Sequence, residues 1–360
     1  MALIDIIMPV RNGARFLPAA VASLQAQSLR DWRLLLLDHG STDDTMAVAG
    51  QLAQADGRIA LSQHADAVGV AGLRNVGLSL VQAPYVVMQD ADDESLPDRL
   101  QRVARAFADD PQAMVIGGSA LLIDAEGREF GRFEITTDPA LLALQTLFRM
   151  PVVHPATALR SELMQRVRVR YGESLALDGC AGDGLVSPEL VEDYQLMGEL
   201  AVAGLVRNLP EPLLRYRFHG GGVSRARYTE QIRLSGLVSR HLARVVSQRA
   251  GCAAFDPAPF GSHGGTLLDL GVQADHREAW HQMRDALLHS DGPWRRQPEL
   301  VQRELAWRSV YVDRQPLGLL GRALGHWASC RPDRHERQTV RNVVLKRLRR
   351  QPLPTLQAAV

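Results

Sequence analysis

Tyr85-Val-Val-Met-Gln-Asp90-Ala-Asp92-Asp93 is a four-residue strand-like run that leads straight into three carboxylates within four positions. A short apolar run bounded by polar residues reads as a buried strand. In an open parallel sheet, ligands bind outside the carboxyl ends of such strands. Carboxylates this close repel one another unless a cation or hydrogen bonds offset them, which points to a hard divalent metal with oxygen ligands. Working outward, Ile4-Asp-Ile-Ile-Met-Pro-Val10 is a first strand stopped by Asn12-Gly13, and residues 33–37 and 59–62 are two more. Helices are expected between them. One carries Leu17, Ala20, Val21 and Leu24 at helical spacing with Pro18 in its first turn, and one follows a Ser41-Thr-Asp-Asp44 capping box. Two others cover residues 71–81 and 97–108, the latter with Ser95 as its cap. This alternation predicts an α/β fold, a Rossmann-like and mostly parallel sheet covered by helices.

Beyond residue 113 the pattern shortens to strands at 114–116 and 120–123 with a turn at Ala125-Glu-Gly127, which gives the sheet a mixed edge. Residues 172–188 are rich in glycine and acids and read as an irregular loop; little burial offsets the entropy of ordering residues 172–187, where a lid that orders when donor and metal are both bound is expected. From Tyr228 onward helical spacings dominate, for example Ile232, Leu237, Leu242 and Val245, with a Pro/Gly-rich interruption at 255–265. Residues 331–350 hold eight basic and two acidic residues, with Val340, Val343, Val344 and Leu348 near one helical face. Such a helix can rest on an anionic membrane, or simply pack on its own domain with its charges solvated.

The 360 residues include 41 Lys plus Arg against 40 Asp plus Glu, and 46% are hydrophobic, so disorder is excluded as the main theme. A net charge of +1 argues against nucleic acid as a partner, since such binding needs a concentrated excess of cations. Cys180, Cys252 and Cys330 are widely spaced and odd in number, which suits a reducing, cytoplasmic setting without disulfides or structural zinc. No stretch reaches the ~20 apolar residues of a membrane span, and a soluble, unprocessed chain is expected. Forty of the 41 basic residues are Arg, and the one Lys is Lys346. That removes a P-loop lysine and, from the body of the chain, a Schiff-base lysine. The first strand lacks the Gly-x-Gly-x-x-Gly turn of a dinucleotide site. An aspartyl-phosphatase reading of Asp90-Ala-Asp92 fails because the motif should follow the first strand and needs a downstream Lys.

Several motifs in order resemble the family-2 nucleotide-sugar glycosyltransferases of GT-A fold, over about residues 3–225. Ile7-Met-Pro-Val-Arg-Asn12 is similar to the family's opening strand and turn, with Arg11 where an aromatic is common. Leu37-Asp38-His39-Gly-Ser-Thr-Asp43 resembles the Asp-Asp-Gly-Ser-x-Asp segment, His39 standing in place of the second acid. Gly72-Leu-Arg-Asn75-Val-Gly77 resembles the Ala-Arg-Asn-x-Gly segment, and Asp90-Ala-Asp92 the metal-binding Asp-x-Asp. His154-Pro-Ala-Thr-Ala-Leu-Arg160 resembles the acceptor-side strand, Glu192-Asp193 the Glu-Asp motif, and Tyr216-Arg-Phe-His219 with Ser224 the closing Tyr-Arg-x-His-x-x-Ser segment.

The resemblance implies a GT-A domain over residues 1–225, with a nucleotide-sugar half of about 1–112 and an acceptor half of about 113–225, followed by a helical C-terminal extension over 226–360. It further implies that Pro9, Val10, Asp38, Arg74, Asp90 and Asp92 bind the sugar nucleotide, that Asp92 and His219 hold Mn2+ or Mg2+, and that Asp193 is the catalytic base. The activity implied is inverting transfer from a nucleotide-diphospho-sugar, a UDP-sugar being the expected donor, to a glycan or lipid-linked acceptor in bacterial surface-glycan synthesis. Peripheral contact with the inner membrane face would run through the basic C-terminal helix. Each residue also has a plain structural reading: an acidic pair opening a helix compensates the dipole, and His154 is a hydrogen-bonding core residue. A catalytically silent, sugar-nucleotide-binding scaffold is the alternative from a different class.

Overall fold

A computed structural model describes residues 2–175, 189–220, 227–261, 276–312, 316–329 and Arg337. In chain order the N-terminal elements are β1 (Ile4–Val10), α1 (Leu17–Gln25), β2 (Trp32–Asp38), α2 (Thr45–Ala55), β3 (Ile59–Gln63), α3 (Gly69–Ser79) and β4 (Tyr85–Met88). β1 pairs in parallel with β2 and β4, and β2 with β3, so the carboxyl ends of these strands share one rim. Two helix starts differ from expectation. Asp44, not Ser41, is the residue before α2, because Asp43 turns its carboxylate onto the Thr45 amide at 3.0 Å. Ser95 lies in a two-residue strand, β5 (Glu94–Ser95), and α4 (Arg99–Asp109) begins after Asp98.

The second half adds β6 (Val115–Ile123), β7 (Glu129–Phe133), α5 (Pro139–Gln145), β8 (Ala158–Arg160), α6 (Ser161–Val167), α7 (Glu192–Val202) and β9 (Val206–Arg217). One sheet results, ordered β3-β2-β1-β4-β8-β6-β9-β5 with β7 on β6, and the antiparallel pairs β4/β8, β6/β8, β6/β7 and β5/β9 form its mixed edge. β6 is one continuous strand where two short ones were expected. Gly117 and Gly118 interrupt the apolar run, yet they are the places where β9 comes closest: a Cβ would stand 2.2 Å from Asn208 Oδ1 and 2.4 Å from Leu213. Glycine here serves strand approach, not termination.

Apolar residues on both faces of the central strands bury two cores. Ile4, Ile6, Leu34 and Leu36 pack with Leu17, Val21 and Val103 on one side, and Ile7, Leu35 and Val86 with Leu73, Leu196 and Leu200 on the other. A third core joins α5 and α7 to the C-terminal helices α8 (Tyr228–Ala250), α9 (Arg277–Leu288) and α10 (Pro298–Arg308); α11 (Pro316–Ser329) follows. Gly198 lets α7 meet α8, since a Cβ there would lie 2.7 Å from Leu242. Buried polar contacts cross the same seam: His241 of α8 bonds Glu199 of α7, and Gln145 of α5 donates to Glu304 of α10 at 2.9 Å. Residues 176–188, Ser224 and the basic 331–350 stretch apart from Arg337 lie outside the described residues, as do Cys180 and Cys330.

Candidate active site

The rim at the ends of β1, β2 and β4 is where acids accumulate. Asp90, Asp92 and Asp93 leave β4 on one loop, and a carboxylate oxygen from each lies within 4.8 Å of the others. The loop is built from below. Gln89 donates to the carbonyls of Asp90 (3.1 Å) and Asp93 (2.9 Å), while buried Arg99 of α4 donates to Gln89 Oε1 (2.7 Å) and to the carbonyls of Met88 and Pro155. Burial brings Arg99 down to about 10, against the pull of Asp93 and Asp90. Asp93 is buried and pushed well above the usual carboxylate range, first by burial and then by the charges of Asp92 and Asp90. Its Oδ1 accepts from the Arg217 amide at 2.8 Å, whereas Oδ2 has no hydrogen-bond partner among the described residues. Asp90 is raised by burial in the face of Arg74.

His219 follows the end of β9 and reaches across the loop: its Nε2 lies 2.8 Å from Asp92 Oδ2. The two expected metal-binding residues therefore meet, although 127 positions separate them. The Phe16 ring, one residue before α1, stands 4.8 Å from the imidazole, centroid to centroid.

Arg74 of α3 connects this loop to α7. It is 7% exposed; Nη1 donates to Glu192 Oε1 at 3.0 Å and Nη2 lies 3.5 Å from Asp90 Oδ1. The adjacent Asp193 is half-buried and accepts from the Tyr194 amide at 2.7 Å. Burial, then the Glu192 charge, push Asp193 up to about 7. Glu192 Oε2 and Arg74 Nε are buried without hydrogen-bond partners among the described residues. Tyr171 faces Arg74 and bonds His154 Nε2 at 2.9 Å; burial and Arg74 hold that imidazole well below its usual range, hence neutral.

Other expected site residues sit apart from this cluster or are already engaged. Val10 is buried and Pro9 half-buried at the rim, the Val10 carbonyl accepting from the His39 amide at 2.9 Å. Asp38 is fully buried and accepts from the Ser41 amide (3.1 Å) and Gln63 Nε2 (3.0 Å), which shapes the turn after β2. His39 bonds the Ala67 carbonyl at 2.8 Å, a tie that a carboxylate in its place cannot make. Glu192, Asp93, Arg217 and Phe16 join the site without having been assigned to it. Glu192 and Asp93 stand beside assigned acids, and Arg217 lies in the Tyr-Arg-x-His segment; nothing in the sequence marks Phe16.

An acid-rich rim on a sheet of this order is the architecture of a GT-A glycosyltransferase. Residues 5–162 match the family model for Glycosyl transferase family 2. Among curated relatives, an uncharacterized glycosyltransferase of Haemophilus influenzae is 21% identical over 237 residues, covering 64% of this chain and 69% of the relative. A second from that organism is 33% identical over 129 residues, 36% of this chain and 51% of the relative. The PGL/p-HBAD biosynthesis glycosyltransferase of Mycobacterium bovis is 28% identical over 162 residues, 45% of this chain and 60% of the relative. The chain thus spans about half to two thirds of the length of these relatives. The fold is similar to that of S. aureus TarS 1–349, at a TM-score of 0.51 and 18% identity, over 98% of this chain and 92% of TarS 1–349. Among the described residues no helix is long and apolar enough to cross a membrane.

Proposed function

We propose that this chain is an inverting, divalent-metal-dependent glycosyltransferase. It moves a sugar from a nucleotide-diphospho-sugar, a UDP-sugar in the first instance, to a hydroxyl of a glycan or lipid-linked acceptor in surface-glycan synthesis. The observation that carries this reading is the chain of contacts from the acid loop through Arg74 to Glu192, with Asp193 beside it raised to about 7. It sets a carboxylate of base-like pKa next to a cation-binding loop. The donor set of the loop suits a hard divalent ion: oxygens from Asp90, Asp92 and Asp93, the imidazole of His219, and a buried Asp93 oxygen without a partner among the described residues. Asp92 and His219 would hold the ion. When bound, Mn2+ or Mg2+ neutralises charge that builds up on the diphosphate leaving group.

This chain's residues do the rest. An acceptor hydroxyl is a poor nucleophile near neutral pH, and Asp193 takes its proton, a contribution of roughly 10² to 10⁴ in rate. One base and one in-line displacement invert the anomeric centre. Arg74 holds Asp90 and the start of α7 at a fixed spacing and adds positive charge beside the phosphates. Asp38, Pro9 and Val10 lie at the ends of β1 and β2 and would take the nucleotide end of the donor. TarS itself was solved with UDP and with UDP-GlcNAc, which supports a uridine donor as the first choice. A scaffold would not need a base of raised pKa beside the acid loop. The domain division at about 225 is part of the proposal, with residues 226–360 as a C-terminal extension whose described helices α8, α9 and α10 share a core with α5 and α7.

A thermal-shift panel of UDP-, GDP-, CMP- and dTDP-sugars, with and without Mn2+, tests the donor class, because a ligand of the folded state raises the melting temperature. The expected result is the largest rise with a UDP-sugar and Mn2+ together. A rise confined to another nucleotide overturns the uridine assignment, and no rise with any overturns sugar-nucleotide binding.

A further inference from the structure

We infer that Arg217 is a positioning residue for the metal grip: it fixes Asp92 and His219 at the spacing at which both can act on one cation. The inference rests on the metal-dependent reading above and goes beyond it in naming what sets the site's geometry. Asp92 and His219 come from distant parts of the chain, on the β4 loop and after β9. Among the described residues the pairing of the two segments begins past Asp92, with Glu94 opposite Arg215, Ser95 opposite Leu214 and the Leu96 amide donating to the Leu213 carbonyl.

Arg217 supplies the missing connection. Its amide donates to the side-chain oxygen Asp93 Oδ1 at 2.8 Å and its Nε to the Asp92 carbonyl at 2.8 Å, so the main chain of Asp92 on its carboxyl side and the side chain of the next residue are tied to the end of β9. Nη1 donates to the carbonyls of Asp124 (3.1 Å) and Ala125 (3.3 Å) in the β6–β7 turn, and Nη2 pairs with Glu94. The residue is 6% exposed, and its guanidinium lies 5.1 Å from the Phe16 ring centroid, the same ring that stands against His219. Arg217, the last residue of β9, and His219, two residues beyond it, both contact Asp92. Arg217 grips its main chain and His219 its carboxylate. A planar, forked guanidinium can serve carbonyls in two segments and a carboxylate at once; a lysine ammonium keeps the charge but not the fork. Arg217 does not bond to the carboxylate of Asp92, which stays with the imidazole.

The test is the ratio of UDP affinity in Mn2+ to that in EDTA, measured by calorimetry on the full chain. A general loosening of the fold lowers both affinities alike and leaves the ratio unchanged, whereas a misplaced grip lowers only the first. Arg217→Lys is expected to shrink the ratio at least about threefold, with metal-free UDP binding retained. Glu94→Gln removes one anchor of the guanidinium and leaves its carbonyl contacts, so it should shrink the ratio less, and it decides the matter if Arg217→Lys does not fold. An unchanged ratio in a folded variant overturns the inference while leaving the metal reading standing. A ratio of one in the unaltered protein removes the metal reading and the inference with it.

Discussion

Two acid–arginine clusters sit at opposite ends of the same parallel strands, and they are built to opposite rules. At the amino end, Asp5 of β1 faces Arg33 of β2. Its oxygens receive Arg33 Nε and Nη2 at 2.8 Å each, and the amides of Gln82 (2.7 Å) and Ala83 (3.0 Å). Burial raises the Asp5 carboxyl, but Arg33 and the two amides outweigh it and the net shift is downward. At the carboxyl end, Arg74 is shared by Asp90 and Glu192; Asp90, Asp93 and Asp193 are all raised, and single atoms of Asp93, Glu192 and Arg74 are left without partners among the described residues. Native interiors satisfy buried polar groups, so clustered exceptions call for an explanation. The Asp5 cluster is complete and holds strands together. The other leaves polar atoms without partners among the described residues and carries raised carboxyls, the pattern expected of the proposed site.

Breaking each cluster should therefore cost different things. The largest effect is expected from Asp193→Asn, which keeps size and most hydrogen bonding but cannot take a proton: transfer should fall by at least roughly 10², with UDP binding retained. Glu192→Gln is the control and should lose less, since it shares the helix start but not the proton. Near-normal transfer by Asp193→Asn in a steady-state assay would remove Asp193 as the base. Next comes Asp5→Asn, expected to lower stability by about 2 to 4 kcal/mol in denaturant titrations while UDP affinity is unchanged. A loss of affinity there would blur the contrast.

The pH dependences have opposite signs. Asp5 is depressed on folding, so its contribution is present at neutral pH and is lost as pH falls below about 3.8 through the lower folded value. Asp193 is raised to about 7, so its contribution is full below about 3.8 and is lost as pH rises through about 7. Asp193→Asn should thus gain stability relative to the unaltered protein at pH 8, gain less at pH 5 and lose the gain only below about 3.8, read as unfolding midpoints. A helix-dipole role alone predicts a loss of about 0.3 to 1 kcal/mol at both pH values. With Asp193 as base, transfer by the unaltered protein should rise with pH through about 7.

What the sequence made legible follows from range. β1, β2 and β4 are apolar runs that end in turn residues, so local pattern is enough, and Tyr85–Met88 appears at the expected bounds. The continuity of β6 through Gly117 and Gly118 was hidden because it depends on Asn208 and Leu213 of β9, about 90 positions away. Ser95 looked like a cap until Leu214 paired with it. The acids of the Asp90 loop were visible as a cluster, but that Arg74 answers to both Asp90 and Glu192 is a contact across 118 positions that no periodicity announces. The meeting of Asp92 and His219 was implied by family resemblance and not by spacing. Arg217 and Phe16 show their parts only once β9 returns beside the loop.

The most direct test of the contrast between the two clusters is calorimetric titration of UDP into the unaltered protein and into Asp92→Asn, each in Mn2+ and in EDTA. If the carboxyl-end acids form a cation-dependent donor site, UDP binds the unaltered protein at least about tenfold more tightly with Mn2+, and Asp92→Asn abolishes that gain while leaving binding in EDTA nearly unchanged. Equal affinity in Mn2+ and EDTA for the unaltered protein would contradict the account.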